Sequence, residues 1–162
     1  MAVISLKVNG KKISKEVSDN VILSDFLREK LALTGTHIGC DTSQCGACVI
    51  HLNGNSVKSC TVLAADCNDS EIVTIEGLAK NGKLHPMQEA FKKHHGLQCG
   101  FCTPGMVMSA IDLLNKNKNP NKKSKHENRL FRHNTQFPSI YIFPENQGVL
   151  IFSYYTLSLI HI

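Results

Sequence analysis

Apolar and polar positions alternate from Val3 to Val8, the period-two signature of a half-buried strand. Asn9-Gly10 follows, a pair suited to the two positive-φ positions of a tight hairpin turn, and Ile13 to Val17 reads as the return strand. Asp19 or Asn20 then caps a helix on which Leu23, Phe26, Leu27 and Leu31 share one face. Thr34 to Cys45 is a loop containing Gly35 and Gly39. Ala47 to Leu52 and Ser56 to Leu63 predict two strands about an Asn53-Gly54-Asn55 turn, and Glu71 to Ile75 one more. Short strands around one helix make a small α+β domain ending near Gly77.

The pattern then changes period. Pro86 suits the first turn of a helix and Gly96 its end. Thr103 is a candidate N-cap with Pro104 at the first helical position, and Met106, Val107, Ala110, Ile111 and Leu114 form an apolar stripe running to about Asn115. These two helices flank a short turn, Leu97 to Thr103. Two helices alone bury little surface, so they are expected to join a larger bundle or pack on partners. No internal repeat is evident.

A chain of 162 residues suggests one or two small domains. With 42% hydrophobic and 19% charged residues it has enough apolar side chain for a core, which excludes wholesale disorder. No apolar run reaches the roughly 18 residues of a membrane-spanning helix, and the N-terminus does not read as a secretory signal. A cytoplasmic setting follows as an expectation, in which seven cysteines point to metal or redox chemistry rather than to disulfides. The net charge of +5 is unevenly placed. Residues 1–114 hold 11 Lys+Arg against 11 Asp+Glu, whereas residues 115–162 hold 7 against 2. The body therefore gives no reason to expect nucleic-acid binding. Residues 115–162 also contain seven of the ten aromatics and neither cysteine nor alanine, a compositional break near Asn115.

Cys40, Cys45 and Cys48 are spaced C-x4-C-x2-C, and Cys60 follows, the plant-type ferredoxin pattern for a [2Fe–2S] cluster. Such a centre needs four thiolates within a loop close enough for its amides to reach the sulfurs, and Gly39, Gly46 and Ala47 supply the missing bulk. A four-cysteine zinc site is the alternative, although zinc favours paired C-x2-C knuckles and this region has one such pair. Function divides accordingly between an electron-transfer subunit, a free-standing ferredoxin-like carrier and a zinc-stabilised binding module. Cys67 fits no spacing and reads as a structural thiol. Cys99 and Cys102 form a second pair, but no cysteine follows Cys102. His126 and His133 would replace the missing thiolates only in a Rieske-type site. His94-His95 reads as a helix-end pair.

Two segments carry a family resemblance. Thr34-Gly35-Thr36-His37-Ile38-Gly39-Cys40-Asp41-Thr42-Ser43-Gln44-Cys45-Gly46-Ala47-Cys48 resembles the first cluster loop of the molybdenum hydroxylase (xanthine oxidase) family, and Gln98-Cys99-Gly100-Phe101-Cys102-Thr103-Pro104-Gly105-Met106 resembles its second cluster turn. Within that family the wording is most similar to the small iron–sulfur chain of aerobic carbon monoxide dehydrogenase. The resemblance covers about residues 1–120. It implies a β-grasp ferredoxin-like domain (1–77) followed by an α-helical [2Fe–2S]-binding bundle (78–120), an α+β architecture. It implies that Cys40, Cys45, Cys48 and Cys60 ligate the first cluster, that Cys99 and Cys102 supply two ligands to the second, and that Gln98 lies against a pterin. It also implies a large subunit with a molybdopterin cofactor and a medium FAD subunit, assembled as a dimer of heterotrimers, with electrons passing from molybdenum through the clusters to flavin. No substrate-converting residue is expected on this chain.

The family completes its second cluster with a Cys-x-Cys pair some thirty residues on; here Asn119-Pro120-Asn121 still fits and Lys122 onwards does not. Residues 121–162 therefore read as divergent, and a reading-frame shift near residues 120–122 accounts for both the missing pair and the compositional break. A genuine divergent tail is the competing reading, with Val149 to Ile160 as a core or docking segment. Reading codons 115–140 of the underlying DNA in all three frames should reveal Cys-x-Cys codons out of frame; their absence would refute the shift.

Overall fold

The computed structural model describes residues 1–97 and 99–117, and the backbone of two strands beyond them. Strands β1 (Ala2–Val8) and β2 (Lys11–Val17) pair antiparallel with Ala2 opposite Val17 and Val8 opposite Lys11. Asn9 and Gly10 both take positive φ, 49° and 83°, as the hairpin requires. Helix α1 (Leu23–Asp25) passes directly into a π-helix (Phe26–Lys30). Its N-cap is Ile22, not Asp19 or Asn20, and no side chain caps it. Tertiary pairing sets the start instead: Ile22 bridges Leu63, and the Leu23 N–H donates to Val62 O at 2.8 Å. The predicted face is otherwise as read, with Leu23, Phe26 and Leu27 fully buried and Leu31 half-buried.

Strands β3 (Val49–Leu52) and β4 (Asn55–Lys58) form the second hairpin, with Val49 opposite Lys58 and Leu52 opposite Asn55. Both are shorter than the apolar pattern predicts. Gly46, at φ 72°, sets a turn before β3 in which its carbonyl accepts from Val49 N–H. Beyond β4, Ser59 directs both its N–H and its Oγ to Cys48 O, at 3.2 and 2.8 Å, and the chain coils into a 3-10 turn (Ser59–Thr61) instead of extending to Leu63. Strand β5 (Glu71–Val73) likewise ends early, because Asn9 Oδ1 accepts the Thr74 N–H at 2.9 Å and a 3-10 turn (Ile75–Gly77) follows.

The five strands lie in the order β2-β1-β5-β3-β4, with β1 and β5 parallel and the other neighbours antiparallel. Ile4, Leu6 and Val8 of β1, Ile50 of β3 and Ile72 of β5 meet Leu23, Phe26 and Leu27 in one buried core, joined by Ala64 and Cys67. Truncating a buried ring such as Phe26 would cost about 3–5 kcal/mol. Cys67 is a structural thiol: it is fully buried in this core, and burial raises its pKa.

Helix α2 (Pro86–Lys93) is capped by His85, whose Nδ1 accepts the Met87 N–H at 3.1 Å while Gln88 Oε1 accepts the His85 N–H at 2.9 Å. It ends at Lys93 with His94 as its C-cap, short of Gly96. His95 takes the left-handed conformation (φ 49°), its N–H donates to Lys92 O, and the Gly96 N–H reaches Phe91 O at 2.8 Å, the two bonds of a Schellman end. Helix α3 (Thr103–Lys116) has Cys102 as its N-cap. Thr103, expected to cap it, lies in the first turn with Oγ1 buried and unpartnered among the described residues. Both faces of α3 are covered. Val107, Ala110 and Ile111 pack with Met87 and Phe91 of α2. The other face is latched to the hairpin: His51 Nε2 donates to Met108 O at 2.8 Å, and Ser56 Oγ to Asp112 Oδ2 at 2.7 Å. Burial works against charge on Asp112, but donation from Ser56 and Lys116 outweighs it and holds the carboxyl below its ordinary pKa. The bundle expected from the sequence is thus partly replaced by the sheet itself.

Strands β6 (Tyr141–Glu145) and β7 (Gly148–Phe152) pair antiparallel, Tyr141 opposite Phe152. The rest of 121–162, including His126, His133 and most of Val149–Ile160, lies outside the described residues.

The His85 cap requires a neutral imidazole. Burial, then the nearby His51 and Lys80, lower its pKa below 6.5, so the folded state binds fewer protons here than the unfolded chain. Stability is therefore expected to fall as pH drops below 6.5, and His85→Asn, which keeps a capping acceptor without the titration, should flatten that part of the profile in urea melts between pH 7 and 5.

Candidate metal centre

The loop between the π-helix and β3 is pinned at its start. Arg28 Nη1 donates to Thr34 O and Thr36 O at 2.9 and 2.8 Å, and the Gly35 N–H donates to Glu76 Oε1 at 2.8 Å. Its far side is held by Lys58, whose Nζ donates to Ser43 O at 2.6 Å, with Ser43 itself at φ 56°. Between these anchors the backbone turns its amides inward. The N–H groups of Cys45, Gln44 and Thr42 point at Cys40 Sγ, the first at 3.4 Å, and against the opposing effect of burial they lower the Cys40 pKa to about 6. Burial raises Cys45, and the amides of Ala47 and Gly39 partly offset it.

Cys48 and Cys60 come from opposite sides of the β3–β4 hairpin. Their sulfurs lie 3.3 Å apart, and Cys60 Sγ is also 3.7 Å from Ser43 Oγ. Cys60 sits on the 3-10 turn after β4, not on a strand as its sequence context suggests. Burial pushes the Cys48 thiol up to about 12, so as a bare side chain it stays protonated; a thiolate there needs a cation beside it. All four cysteines are free thiols. The sulfurs thus form two pairs, Cys40 with Cys45 and Cys48 with Cys60. Among the described residues no three His, Cys, Asp or Glu side chains converge on one point for a single ion. Two pairs ringed by amides suit a two-iron centre, in which each iron takes two thiolates.

The second cysteine pair abuts the first set. Burial and the neighbouring Cys99 and Cys45 raise the Cys102 pKa, while Cys99 is exposed. Cys102 Sγ lies 3.3 Å from Met106 Sδ, one turn along α3. The contact between the two regions has no room for side chains. A Cβ on Gly105 would lie 2.2 Å from Gly46 O and 3.0 Å from the Ala47 carbonyl. One on Gly39 would lie 3.3 Å from both Cys45 Sγ and Phe101 Cε1. His37 closes the seam: its ring stacks on Phe101 with centroids 4.5 Å apart, and its Nδ1 donates to Phe101 O at 2.6 Å. The sequence assigns no role to His37, Lys58 or Gly105, whose partners are distant in the chain; His37 and Gly105 lie within the two cysteine segments that carry the family resemblance, and Lys58 has no local signal. Gln98 lies outside the described residues.

Two family models match the chain: a 2Fe-2S iron-sulfur cluster binding domain over residues 6–79, and a [2Fe-2S] binding domain over residues 74–135. Among curated proteins, the chain is 50% identical over 107 residues to the gamma subunit of caffeine dehydrogenase from Pseudomonas sp. (strain CBB1), covering 66% of this chain and 64% of that one, just under two thirds of the relative's length. It is 47% identical over 120 residues to the small subunit of nicotine 6-hydroxylase from Paenarthrobacter nicotinovorans, covering 74% and 72%. Among solved structures, quinoline 2-oxidoreductase from Pseudomonas putida 86 has a chain with TM-score 0.76 and 40% identity, covering 82% of this chain and 81% of that one.

Gly105→Ala is expected to destabilise the chain by about 1–3 kcal/mol, since the Cβ meets backbone that has no rotamer with which to yield. A urea midpoint equal to the parent's would show that the seam opens freely.

Proposed function

Because the chain belongs to the iron–sulfur small subunits of the molybdenum hydroxylase family, we propose that it is the electron-transfer subunit of such an oxidoreductase and performs no substrate chemistry itself. The observation that carries this is the set of four neighbouring cysteines, with backbone amides turned toward Cys40 and Cys45 and the sulfurs of Cys48 and Cys60 paired at 3.3 Å. In this reading Cys40 and Cys45 hold one iron, and Cys48 and Cys60 the other. A [2Fe–2S] cluster there supplies a one-electron carrier. The chain's own contribution is placement and tuning. The Thr42, Gln44 and Cys45 amides stabilise negative charge on sulfur, Lys58 keeps the loop closed, and burial of Cys48 sets a low local dielectric.

Cys99 and Cys102 are proposed as two ligands of a second [2Fe–2S] centre, which the cysteines of this chain do not complete. Gln98 is proposed to face the pterin of the large subunit. Residues 1–77 and 78–120 then act as two cluster-binding domains, cytoplasmic, with a large molybdopterin subunit and a medium FAD subunit in a dimer of heterotrimers. No helix among the described residues is long and apolar enough to cross a membrane. Electrons would run from molybdenum through this chain to flavin. The relatives are named for substrates as different as caffeine, nicotine, quinoline and aldehydes, so substrate choice is assigned to the large subunit and not to this chain.

After anaerobic reconstitution with iron and sulfide the chain should be coloured and carry acid-labile sulfide, and Cys45→Ser should abolish the visible absorbance and the EPR signal of the reduced first centre. Zinc in place of iron in the native protein, or an unchanged spectrum in the variant, would overturn the assignment. Co-elution of the native protein with molybdenum and FAD tests the complex against a free-standing carrier.

A further inference from the structure

Phe101 is 48% exposed, a large ring left in the open at the tip of the second cysteine turn. Its placement is nevertheless tightly fixed. Gly100, at φ 83°, turns the chain so that the ring lies flat on His37, 17° from parallel, while the Phe101 carbonyl takes the His37 Nδ1 hydrogen at 2.6 Å. Two contacts to a single residue of the first loop hold a residue 64 positions away. The ring edge meets the loop at Gly39, where the point 3.3 Å from Phe101 Cε1 is also 3.3 Å from Cys45 Sγ. An ordinary side chain at position 39 would occupy that space; glycine leaves it to the ring.

We infer that the Phe101 ring, clipped by His37, is a solvent shield for the first centre: the Cys99–Cys102 turn covers Cys45 whether or not a second cluster is ever completed. This rests on the reading of Cys40, Cys45, Cys48 and Cys60 as ligands of that centre. The shield has two consequences. It keeps water and small reactants from the Cys45 side of the cluster. It also disfavours the extra negative charge gained on reduction, because the apolar surround of a metal site limits solvation of charge.

The test uses the full chain with its cluster in place, diluted into air-saturated buffer containing EDTA, and follows the loss of visible absorbance. Phe101→Ala should bleach several-fold faster than the parent and show a more positive midpoint potential, with its thermal unfolding temperature little changed. Phe101→Leu, which restores apolar volume, should return the bleaching rate most of the way to the parent's. A merely structural role would lower the unfolding temperature while leaving potential and bleaching of the folded protein alone. An unchanged bleaching rate and potential in Phe101→Ala would overturn the shield. If Phe101→Ala yields no folded, coloured protein, His37→Ala decides: the same acceleration supports the shield, and parental behaviour overturns it. A parent chain that takes up no cluster would instead defeat the underlying ligand assignment, and the shield with it.

Discussion

Negative charge on sulfur inside a protein is the constraint around which this chain is arranged. A thiolate taken from water loses solvation that must be replaced by oriented dipoles or by a cation. The chain uses backbone for the first. The amides of Thr42, Gln44 and Cys45 serve Cys40, and those of Gly39 and Ala47 serve Cys45. Backbone reaches sulfur this closely only where side chains are small, which explains Gly39 before Cys40 and Gly46 and Ala47 between Cys45 and Cys48. Cys48 has less amide support and deeper burial, so its chemistry depends more on a metal.

The same need for closeness joins the two regions. One face of helix α3 rests on the β3–β4 hairpin. His51 and Ser56 fasten its middle and end, and Gly105 lets its first turn touch the cysteine loop. The buried Asp112 is held at one oxygen, where Ser56 and Lys116 both donate to Oδ2, while its buried Oδ1 has no hydrogen-bond partner among the described residues. The cysteine loop and the seat of helix α3 therefore share one set of contacts, and neither can be repacked without the other.

Much of this was legible from residues alone. The Asn9-Gly10 and Asn53-Gly54 hairpins follow from positive-φ chemistry, the Leu23–Phe26–Leu27 face from periodicity, and the cysteine spacing from coordination. What escaped was whatever a distant partner decides. Ile22 starts α1 because Val62 and Leu63 lie beside it, β4 gives way to a 3-10 turn at Ser59, and Cys102 rather than Thr103 begins α3. The left-handed residue that closes α2 is His95 rather than Gly96, since the Schellman bonds to Phe91 and Lys92 fix it one place earlier. Local preference names the candidates, and tertiary pairing selects among neighbours.

The β3–β4 hairpin ties cofactor acquisition to chain pairing. Three of the four sulfurs leave the ribosome on one loop, but Cys60 arrives only once Val49 has found Lys58 across the ladder. Cys48 immediately precedes β3 and Cys60 lies just past β4, so a change of register in the hairpin would separate the two sulfurs. The two-residue turn at Asn53-Gly54 is thus what brings Cys60 to Cys48, and the cluster proposed for the four sulfurs depends on that closure.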